Sequence, residues 1–358
     1  MFEDRLRIPE HLTTRVPADT MRATVEDLFV ASGMPREDAV QSADVLIWAD
    51  LRGVDSHGAS NMMAFYLQAF KAGTTNPAPA WSVVRETPGT AHINCDRGLG
   101  LAVGPAAMRM AIAKAKAVGI GSVVAGNGRH FGAAGYHAAM ALEHDMIGIS
   151  MTVGGLQVVP TFGSKPMVGL NPLSVAAPTI NEAPFIFDAS MSSVAGNKIR
   201  LAKRLGVKAA PGWIARMDGT PIMDEEEVPD QFNMLPLGST RGLGSHKGYS
   251  LAVMVDILSG LLAGTGPGFL SAGNLSHHFL AYSIEAFKDT ATFKEQMDTY
   301  MRGLRETPPA PGFERVEYAG LRMAESLAER SVKGIPYHNE VVERFQGWAK
   351  EYGVSSRF

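Results

Sequence analysis

Cysteine is almost absent from this sequence, since Cys95 is the only one among 358 residues. An intrachain disulfide needs two cysteines, so none can form, and a metal centre built from several thiolates is excluded as well. We interpret Cys95, in the apolar stretch AHINCD, as a small buried hydrophobic residue. The expected location is a reducing compartment, the cytoplasm.

A strong charge of either sign is missing too. The 33 Lys and Arg nearly balance the 36 Asp and Glu, which gives a formal net charge of −3. Nucleic acids and anionic membranes bind proteins through basic patches, so neither is expected as a partner. The stretch MFEDRLRIPEHLTTRV is charged throughout, unlike a secretory signal. The longest apolar run, YSLAVMVDILSGLLAG, is too short to span a bilayer and contains Asp256.

What the sequence does have is a change of periodicity along its length. Apolar residues recur at helical spacing at both ends, as in EDAVQSADVLIWADLRG and AGLRMAESLAERSVKG. Between the ends, short apolar runs such as GIGSVVAG, IGISMTV and PLSVAAP are separated by glycines and predict strands. We expect residues 1–75 and 286–358 to form one helical domain, and residues 76–285 to form a mixed α/β domain.

A first glycine-rich turn, CDRGLGLAVG, joins a predicted strand to a predicted helix. Its glycines, Gly98, Gly100 and Gly104, approach the spacing of the dinucleotide-binding fingerprint G-x-G-x-x-G. The third glycine comes one position late, and VGIGSVVAGNG lacks the acidic residue expected about twenty positions on. We therefore interpret this stretch as a turn made of small residues and not as a Rossmann phosphate site.

A second glycine-rich turn, AGNGRHFGAAGY, carries Arg129 and His130 between a strand and a helix. A histidine in such a turn can reach the cleft at the strand ends where α/β sheets bind ligands. The alternative interpretation is a helix cap that happens to be histidine.

The stretch ADLRGVDSHGASN concentrates polar residues around two glycines at the end of a predicted helix. His57 has the side chain best suited to moving protons near neutral pH, and Ser56 can donate a hydrogen bond to a substrate carboxylate or carbonyl. Arg52 and Asp55 are expected to fix the orientation of the turn or to pair with each other. The alternative is a helix-capping turn with an exposed histidine.

Other chemistries have weaker support. A catalytic zinc needs three converging ligands, H-E-x-x-H is absent, and His277 and His278 would face opposite sides of a strand, so no metal is expected. No G-x-S-x-G motif supports a serine hydrolase. Lys247, beside a glycine at a predicted helix start, suits a phosphate. Asp188 follows an apolar strand, where a carboxylate orients a histidine, binds ribose or caps a helix.

Several segments together resemble one family. RGVDSHG, RHFGAAGY, GLNPLSVAAP, FIFDAS, LPLG, HKGYSLAVMVDILSG and APGFE are similar, in this order, to motifs of the second malate/L-lactate dehydrogenase family. The resemblance implies an NAD(P)-dependent oxidoreductase that transfers a hydride between nicotinamide and C2 of a small 2-hydroxy or 2-keto acid. It also implies an α/β fold, with a mixed-sheet NAD(P)-binding domain of non-Rossmann type and a helical domain formed by both termini. Homodimers are typical.

The matched motifs imply roles for individual residues. His57 matches the proposed proton donor, with Ser56 touching substrate, while His130 matches a second histidine that some members use as proton acceptor. The choice between the two histidines is open. Asp188 is a candidate catalytic residue, and with Ala189 and Ser190 it matches a strip that lines the cofactor in the family. The resemblance assigns cofactor contacts to Asn171, Asp188, Ala189, Ser190, Lys247, Gly248 and Gly312.

One position departs from the family pattern. Many members carry an arginine three or four residues after DSHG that pairs with a substrate carboxylate, and Asn61 stands there instead. An amide does not reproduce the bidentate charged grip of a guanidinium, so a smaller or differently shaped acid than malate is favoured. Asn61 and Arg52 are kept as candidate substrate contacts.

Three questions stay open at the level of the sequence. A reductase of cyclic imino acids is the alternative function, and a nonenzymatic sensor of a nucleotide or keto acid is a more remote one. NAD is the expected cofactor, but NADP stays open, because only Arg200 and Arg241 suggest themselves as contacts for a 2′-phosphate. Neither the identity of the acid nor the physiological direction follows from the residues.

Overall fold

The computed structural model describes residues 9–358, apart from the side chain of Arg204. Within this range the helices are α1 (Ala18–Ala31), α2 (Arg36–Leu51), α3 (Ala59–Lys71), α4 (Gly100–Val118), α5 (Ala134–Ala139), α6 (Gly196–Leu205), α7 (Ser245–Val255), α8 (Thr290–Arg305), α9 (Leu321–Lys333) and α10 (Asn339–Tyr352). The strands are β1 (Thr13–Val16), β2 (Ser82–Glu86), β3 (Thr90–Asn94), β4 (Ile120–Gly128), β5 (Met146–Thr152), β6 (Leu156–Val158), β7 (Val168–Gly169), β8 (Leu173–Ala177), β9 (Phe185–Ala189), β10 (Ile214–Ala215), β11 (Asn233–Met234), β12 (Leu275–Ser283) and β13 (Ile335–His338).

Local sequence explains where several helices begin and end. Pro17 and Pro35 directly precede α1 and α2, where the fixed φ of proline and its missing N–H suit a helix start. The carboxylate of Asp289 accepts a hydrogen bond from Thr292 N at the start of α8. Gly119, with φ 92°, ends α4, because a left-handed residue there stops the helix and turns the chain into β4.

The largest sheet has seven strands in the order β2-β3-β4-β12-β5-β8-β9. Only β3 and β4 among these neighbours run parallel, joined by α4; the other pairs are antiparallel. A Rossmann domain needs an open, mostly parallel sheet, so this mixed sheet is a different architecture. Gly100 and Gly104 at the start of α4 are packing positions, since a Cβ there would lie 2.3 Å from Phe131 and 2.7 Å from His137.

The two ends of the chain pack together. Strands β1 and β13 pair antiparallel, and one apolar core combines residues 16–67 with residues 335–345. Helix α8, which the sequence analysis placed in the helical domain, contacts the sheet side instead. The carboxylate of Asp298 on α8 accepts hydrogen bonds from the backbone N–H groups of Ile180, Asn181 and Glu182.

A smaller unit adjoins the large sheet and was not predicted as a separate feature. It contains a four-stranded sheet in the order β10-β11-β6-β7, with its own apolar core between residues 158 and 252. Helices α6 and α7 contribute Ile199, Ala202 and Ala252 to this core. Among the described residues, no helix is both long and apolar enough to cross a membrane.

Candidate active site

A cavity of about 1400 Å³ lies where the terminal helices, the large sheet and the smaller unit meet. Pockets for single small molecules usually measure roughly 300–1,000 Å³, so this space suits a dinucleotide together with a small acid. Nine of the residues singled out from the sequence lie on its wall: Ser56, His57, Asn61, Arg129, His130, Asp188, Ala189, Ser190 and Arg200.

His57 lies in a short turn, Asp55–His57, between α2 and α3. Ser56 Oγ is within hydrogen-bond distance of His57 Nδ1, at 2.9 Å. Across the cavity, Asn197 Nδ2 at the start of α6 donates to the carbonyl oxygen of Ser56 at 2.5 Å. The turn is therefore held from its own helices and from the smaller unit opposite.

Beneath this turn lies a buried carboxyl group, Asp50, that the sequence analysis did not identify. Asp50 Oδ2 accepts hydrogen bonds from Ala59 N at 2.9 Å and from the Tyr337 hydroxyl at 2.7 Å. Burial, together with the nearby charge of Asp55, raises the pKa of Asp50 to about 7. A Cβ on Gly58 would lie 1.7 Å from Asp50 Oδ1, so glycine is required for the turn to close over this group.

Asp55 does not pair with Arg52, the partner suggested by the sequence. Arg330 of α9 reaches Asp55 with both terminal nitrogens, at 2.5 Å and 3.2 Å, and also donates to the carbonyl oxygen of Asp50 at 2.5 Å. Arg52 instead lies over the ring of Trp48, 4.4 Å from its centre, and is not on the cavity wall. The C-terminal helix α9 thus supplies the cation that the turn needs.

His130 occupies the second glycine-rich turn. The backbone N–H of Gly132 donates to His130 Nδ1 at 3.2 Å, and the Tyr66 hydroxyl lies 2.7 Å from the same atom. A backbone N–H can only donate, so Nδ1 is the unprotonated nitrogen and Tyr66 donates to it as well. In its neutral form His130 therefore carries its proton on Nε2.

Two further buried histidines hold the backbone on either side of His130. His277 Nε2 donates to the carbonyl oxygen of Arg129 at 3.0 Å, and His137 Nε2 donates to that of Phe131 at 2.8 Å. The Phe131 ring stacks on both imidazoles, with centroid distances of 4.7 Å and 4.8 Å. The His130 turn therefore rests on a stack of three neutral rings.

The imidazoles of His57 and His130 face each other in the cavity. Their planes are 7° from parallel, with ring centres 5.6 Å apart. Burial lowers the pKa of His57 to about 4, and burial together with the neighbouring histidines lowers that of His130 to about 3. Both rings are neutral at pH 7. In residues 9–358, no group of three or more His, Cys, Asp or Glu side chains is arranged to hold a metal ion.

Asp188 lies at the end of β9 on the cavity wall. Its Oδ2 accepts a hydrogen bond from Gly135 N at 2.6 Å, so the carboxylate caps the first turn of α5 from a neighbouring strand. Burial raises the pKa of Asp188 to about 6. Small residues of the following loop continue the wall: Ala189, Ser190, Ser192, Ser193, Ala195 and Gly196.

The other predicted cofactor residues do not lie on the wall. Asn171 is buried and joins two segments, since its Oδ1 accepts from Gly154 N and its Nδ2 donates to Ala252 O, both at 2.8 Å. Gly248 packs against Leu237, where a Cβ would lie 2.2 Å from the carbonyl oxygen. Lys247 and Gly312 are exposed. The structure does bring Arg200 to the wall, whereas Arg241 contacts His246 outside it.

Comparison with known proteins agrees with this architecture. The model of the malate/L-lactate dehydrogenase family matches residues 16–346. The chain belongs to the malate/L-lactate dehydrogenase family. Malate dehydrogenase from Pyrococcus horikoshii is 39% identical over 347 residues, covering 95% of this chain and 96% of the relative. L-sulfolactate dehydrogenase from Methanocaldococcus jannaschii is 36% identical over 296 residues, covering 80% and 83%.

Solved structures of this family share the fold. Malate dehydrogenase from Entamoeba histolytica superimposes with a TM-score of 0.92 at 32% identity, covering 97% of this chain and all of the other. The predicted family, the α/β class with a mixed sheet, and the enzyme class are confirmed. This member of the malate/L-lactate dehydrogenase family is an oxidoreductase that acts on CH–OH groups of hydroxy acids with a nicotinamide cofactor.

Proposed function

We propose that this enzyme oxidises a small 2-hydroxy acid to the 2-keto acid with NAD, and that it also catalyses the reverse reduction. The observation that carries the proposal is the pair of neutral imidazoles, His57 and His130, facing each other on the wall of a cavity large enough for dinucleotide and acid. Proton transfer to and from the 2-oxygen needs such a group within reach of the substrate.

The residues on the wall fit a nicotinamide dinucleotide. The loop from Ala189 to Gly196 offers small side chains and hydroxyl groups, which allow a ligand to approach the backbone closely. Lys198 and Arg200 on the same wall supply positive charge for a pyrophosphate or a 2′-phosphate. Nicotinamide bound here supplies the hydride chemistry at its C4 position.

We assign the proton transfer to His57. As the 2-hydroxyl loses its proton, the neutral imidazole accepts it, and the same ring returns it to the 2-oxygen in reduction. Ser56, at 2.9 Å from His57 Nδ1, orients the ring. His130 holds its proton on Nε2 and serves as a hydrogen-bond donor to the same oxygen, because Gly132 and Tyr66 occupy Nδ1.

A substrate panel tests this proposal. Purified protein is incubated with NADH or NADPH and a set of 2-keto acids and cyclic imines, and the loss of absorbance is followed; the 2-hydroxy acids are tested with NAD and NADP. Turnover of 2-keto acids, with faster reaction in NADH, supports the proposal. Turnover of cyclic imines alone would replace it with the imino-acid reductase, and ligand binding without any turnover would indicate a sensor.

We also propose a homodimer in solution. Five large apolar side chains between residues 257 and 270 are 48–67% exposed, which is unusual for one short segment of a monomer: Ile257, Leu261, Leu262, Phe269 and Leu270. The segment runs directly into Ala272 and Gly273 on the cavity wall. Light scattering coupled to size exclusion tests this state, and Leu262→Glu with Leu270→Glu should yield monomers.

A further inference from the structure

Two arginines that the proposed reaction does not use lie on the wall of the same cavity as the two histidines. Arg129 directly precedes His130, and Arg97 lies in the turn before α4. Their backbones are joined, because Arg97 N donates to Asn127 O at 2.9 Å and Arg129 N donates to Gly98 O at 3.0 Å. The fold therefore brings two cations to one part of the wall, beside the proposed reaction centre.

The Arg129 guanidinium makes several hydrogen bonds, all to neutral groups. Its Nε donates to Thr74 O at 2.7 Å, and its Nη1 donates to Gly128 O and to Asn274 Oδ1, each at 2.8 Å. No described residue offers a hydrogen-bond acceptor to its Nη2. Burial and the charge of Arg97 lower the pKa of Arg129, as is typical of a cation with no carboxylate beside it.

The Arg97 side chain is exposed to the cavity and donates only to the carbonyl oxygen of Gly73. Over residues 9–358, neither arginine has a carboxylate within ion-pair distance. Arg97 also has φ 59°, and Asp96 before it has φ 50°, so a long cationic side chain occupies left-handed backbone that glycine or asparagine adopts more readily. Non-glycine residues with left-handed backbone are often found at ligand-binding sites.

Asn61, at the position where many family members have arginine, offers no positive charge to a substrate carboxylate. Its Nδ2 donates to Asp55 O at 2.6 Å, which ties the amide to the His57 turn. The other arginine near this turn, Arg330, is paired with Asp55. Arg200 is assigned above to the cofactor, so Arg97 and Arg129 are the pair of arginines on this wall that is left for an anion of the substrate.

Building on the proposed function, we propose that Arg97 and Arg129 form a subsite for a second acidic group of the substrate, a carboxylate or sulfonate beyond C2. The enzyme then prefers dianionic 2-hydroxy acids over monoanionic ones. This runs against the expectation drawn from Asn61 alone, because the guanidinium groups come from a different segment of the chain. Two cations recognise a dianion by charge-assisted hydrogen bonds that a monoanion of the same length lacks.

Matched substrates and variants test the subsite. Malate and lactate share the 2-hydroxy acid and differ in the second carboxylate. Arg97→Asn keeps a residue that tolerates left-handed backbone, Arg129→Gln removes the second cation, and Arg85→Gln on the exposed strand β2 is the control. We expect each cavity variant to lower the ratio of kcat/KM for malate to that for lactate roughly 10- to 100-fold, because malate loses more than lactate, and the control to leave this ratio unchanged.

A binding measurement separates this inference from the proposed function. Succinate and propionate are nonreactive counterparts of malate and lactate, and calorimetry in the presence of NADH compares them. If the wild type binds succinate more tightly than propionate and Arg97→Asn loses this difference, the subsite is supported. This holds even if neither malate nor lactate turns over, because absence of turnover counts against the proposed function and not against the subsite. Because Arg97 makes a single side-chain hydrogen bond, this variant decides the matter if Arg129→Gln fails to fold.

Three outcomes overturn the inference. Equal losses for malate and lactate mean that the arginines hold the carboxylate common to both acids. An unchanged ratio, with succinate and propionate bound equally, means that they do not contact the acid. An unchanged ratio together with a change of oligomeric state means that they pair with a carboxylate of a second copy.

Discussion

The turns that carry His57 and His130 reach the same cavity but are supported in opposite ways. The His57 turn rests on charged and hydroxyl groups, with Asp50, Asp55, Arg330 and Tyr337 joined by hydrogen bonds. The His130 turn rests on a stack of neutral rings.

The difference has consequences for stability and for pH dependence. The partners of Asp50 and Asp55 lie up to 287 residues away, so the His57 turn forms only when both ends of the chain pack together. Much of the support for His130 comes from the segment that directly follows it, Phe131 to His137. We expect the His57 turn to respond to pH and to changes in the terminal helices, and the His130 turn to respond mainly to changes in packing.

The largest effect is expected from the histidines themselves. His57→Asn removes the group that exchanges the proton and should lower kcat roughly 100- to 10,000-fold, while NADH binding, followed by fluorescence, survives. His130→Asn keeps an N–H donor and should lower kcat only about tenfold. A greater loss in His130→Asn than in His57→Asn would reverse the two assignments.

Closure of the His57 turn is tested by Gly58→Ala. The new methyl group would lie 1.7 Å from Asp50 Oδ1 in a buried site, so we expect the free energy of unfolding to fall by about 3 kcal/mol or more. Gly347→Ala in α10 is the matched control, because no atom lies within 4 Å of its Cβ, and it should stabilise by roughly 0.5–1 kcal/mol. Equal effects in denaturant unfolding would show that Asp50 moves aside easily.

The charged support is tested by Asp50→Asn. In the folded protein the pKa of Asp50 is raised from 3.8 to about 7, so the folded state holds a proton that the unfolded chain has released between these values. The free energy of unfolding of the wild type therefore falls as the pH rises from about 4 to about 7, by roughly 4 kcal/mol at most. The Asp50→Asn side chain does not titrate, so this variant lacks that decrease. Denaturant unfolding at pH 5 and pH 8 should show Asp50→Asn gaining on the wild type at the higher pH.

The control for that comparison is Asp224→Asn, which changes an exposed carboxylate. Stability curves for wild type and Asp50→Asn that stay parallel across the pH range would mean that Asp50 is ionised throughout.

A smaller effect is expected on the other side of the cavity. Tyr66→Phe removes the hydroxyl group that donates to His130 Nδ1, leaving the Gly132 N–H as its partner. One such hydrogen bond is worth about 1 kcal/mol, so we expect stability to fall by about that amount and kcat to fall about fivefold, because the His130 ring is held less firmly. Tyr300→Phe, at an exposed tyrosine, is the control, and a loss equal to that of His130→Asn would show that Tyr66 itself acts on the substrate.

The smallest effect is expected when the pH is varied and the rate of oxidation of the 2-hydroxy acid is measured. The base must be unprotonated to accept a proton, and the lowered pKa of His57, about 4, keeps it so until the pH falls through that value. We expect kcat/KM for the 2-hydroxy acid to change little between about pH 6 and 8. A decline centred near pH 6.5 would mean that the base is solvated like a free histidine.

Much of the main fold follows from periodicity. The stretches GIGSVVAG, IGISMTV and PLSVAAP became β4, β5 and β8, and residues of both chain ends share one apolar core. The small sheet was missed because its strands are two or three residues long, too short to show an alternating pattern.

The site was predictable in part. Motifs identified the turns of His57 and His130, and Asp188 lies on the wall at a strand end, as the pattern indicated. Asp50, Tyr66 and Arg330 carry no local signal, since each lies within an ordinary helix. The functional roles of all these residues stay predictions until the variants are measured.

By itself the sequence determined the family, the helical ends, the glycine turns and the two histidines, because these are encoded in contiguous residues whose spacing sets local conformation. Only the tertiary structure decided that Asp55 pairs with Arg330 and not with Arg52, that Asp298 of α8 binds the loop between β8 and β9, and that Arg97 lies beside Arg129. Those pairings join residues far apart in the chain, and charge, burial and reach select among many partners only once the core has brought them together.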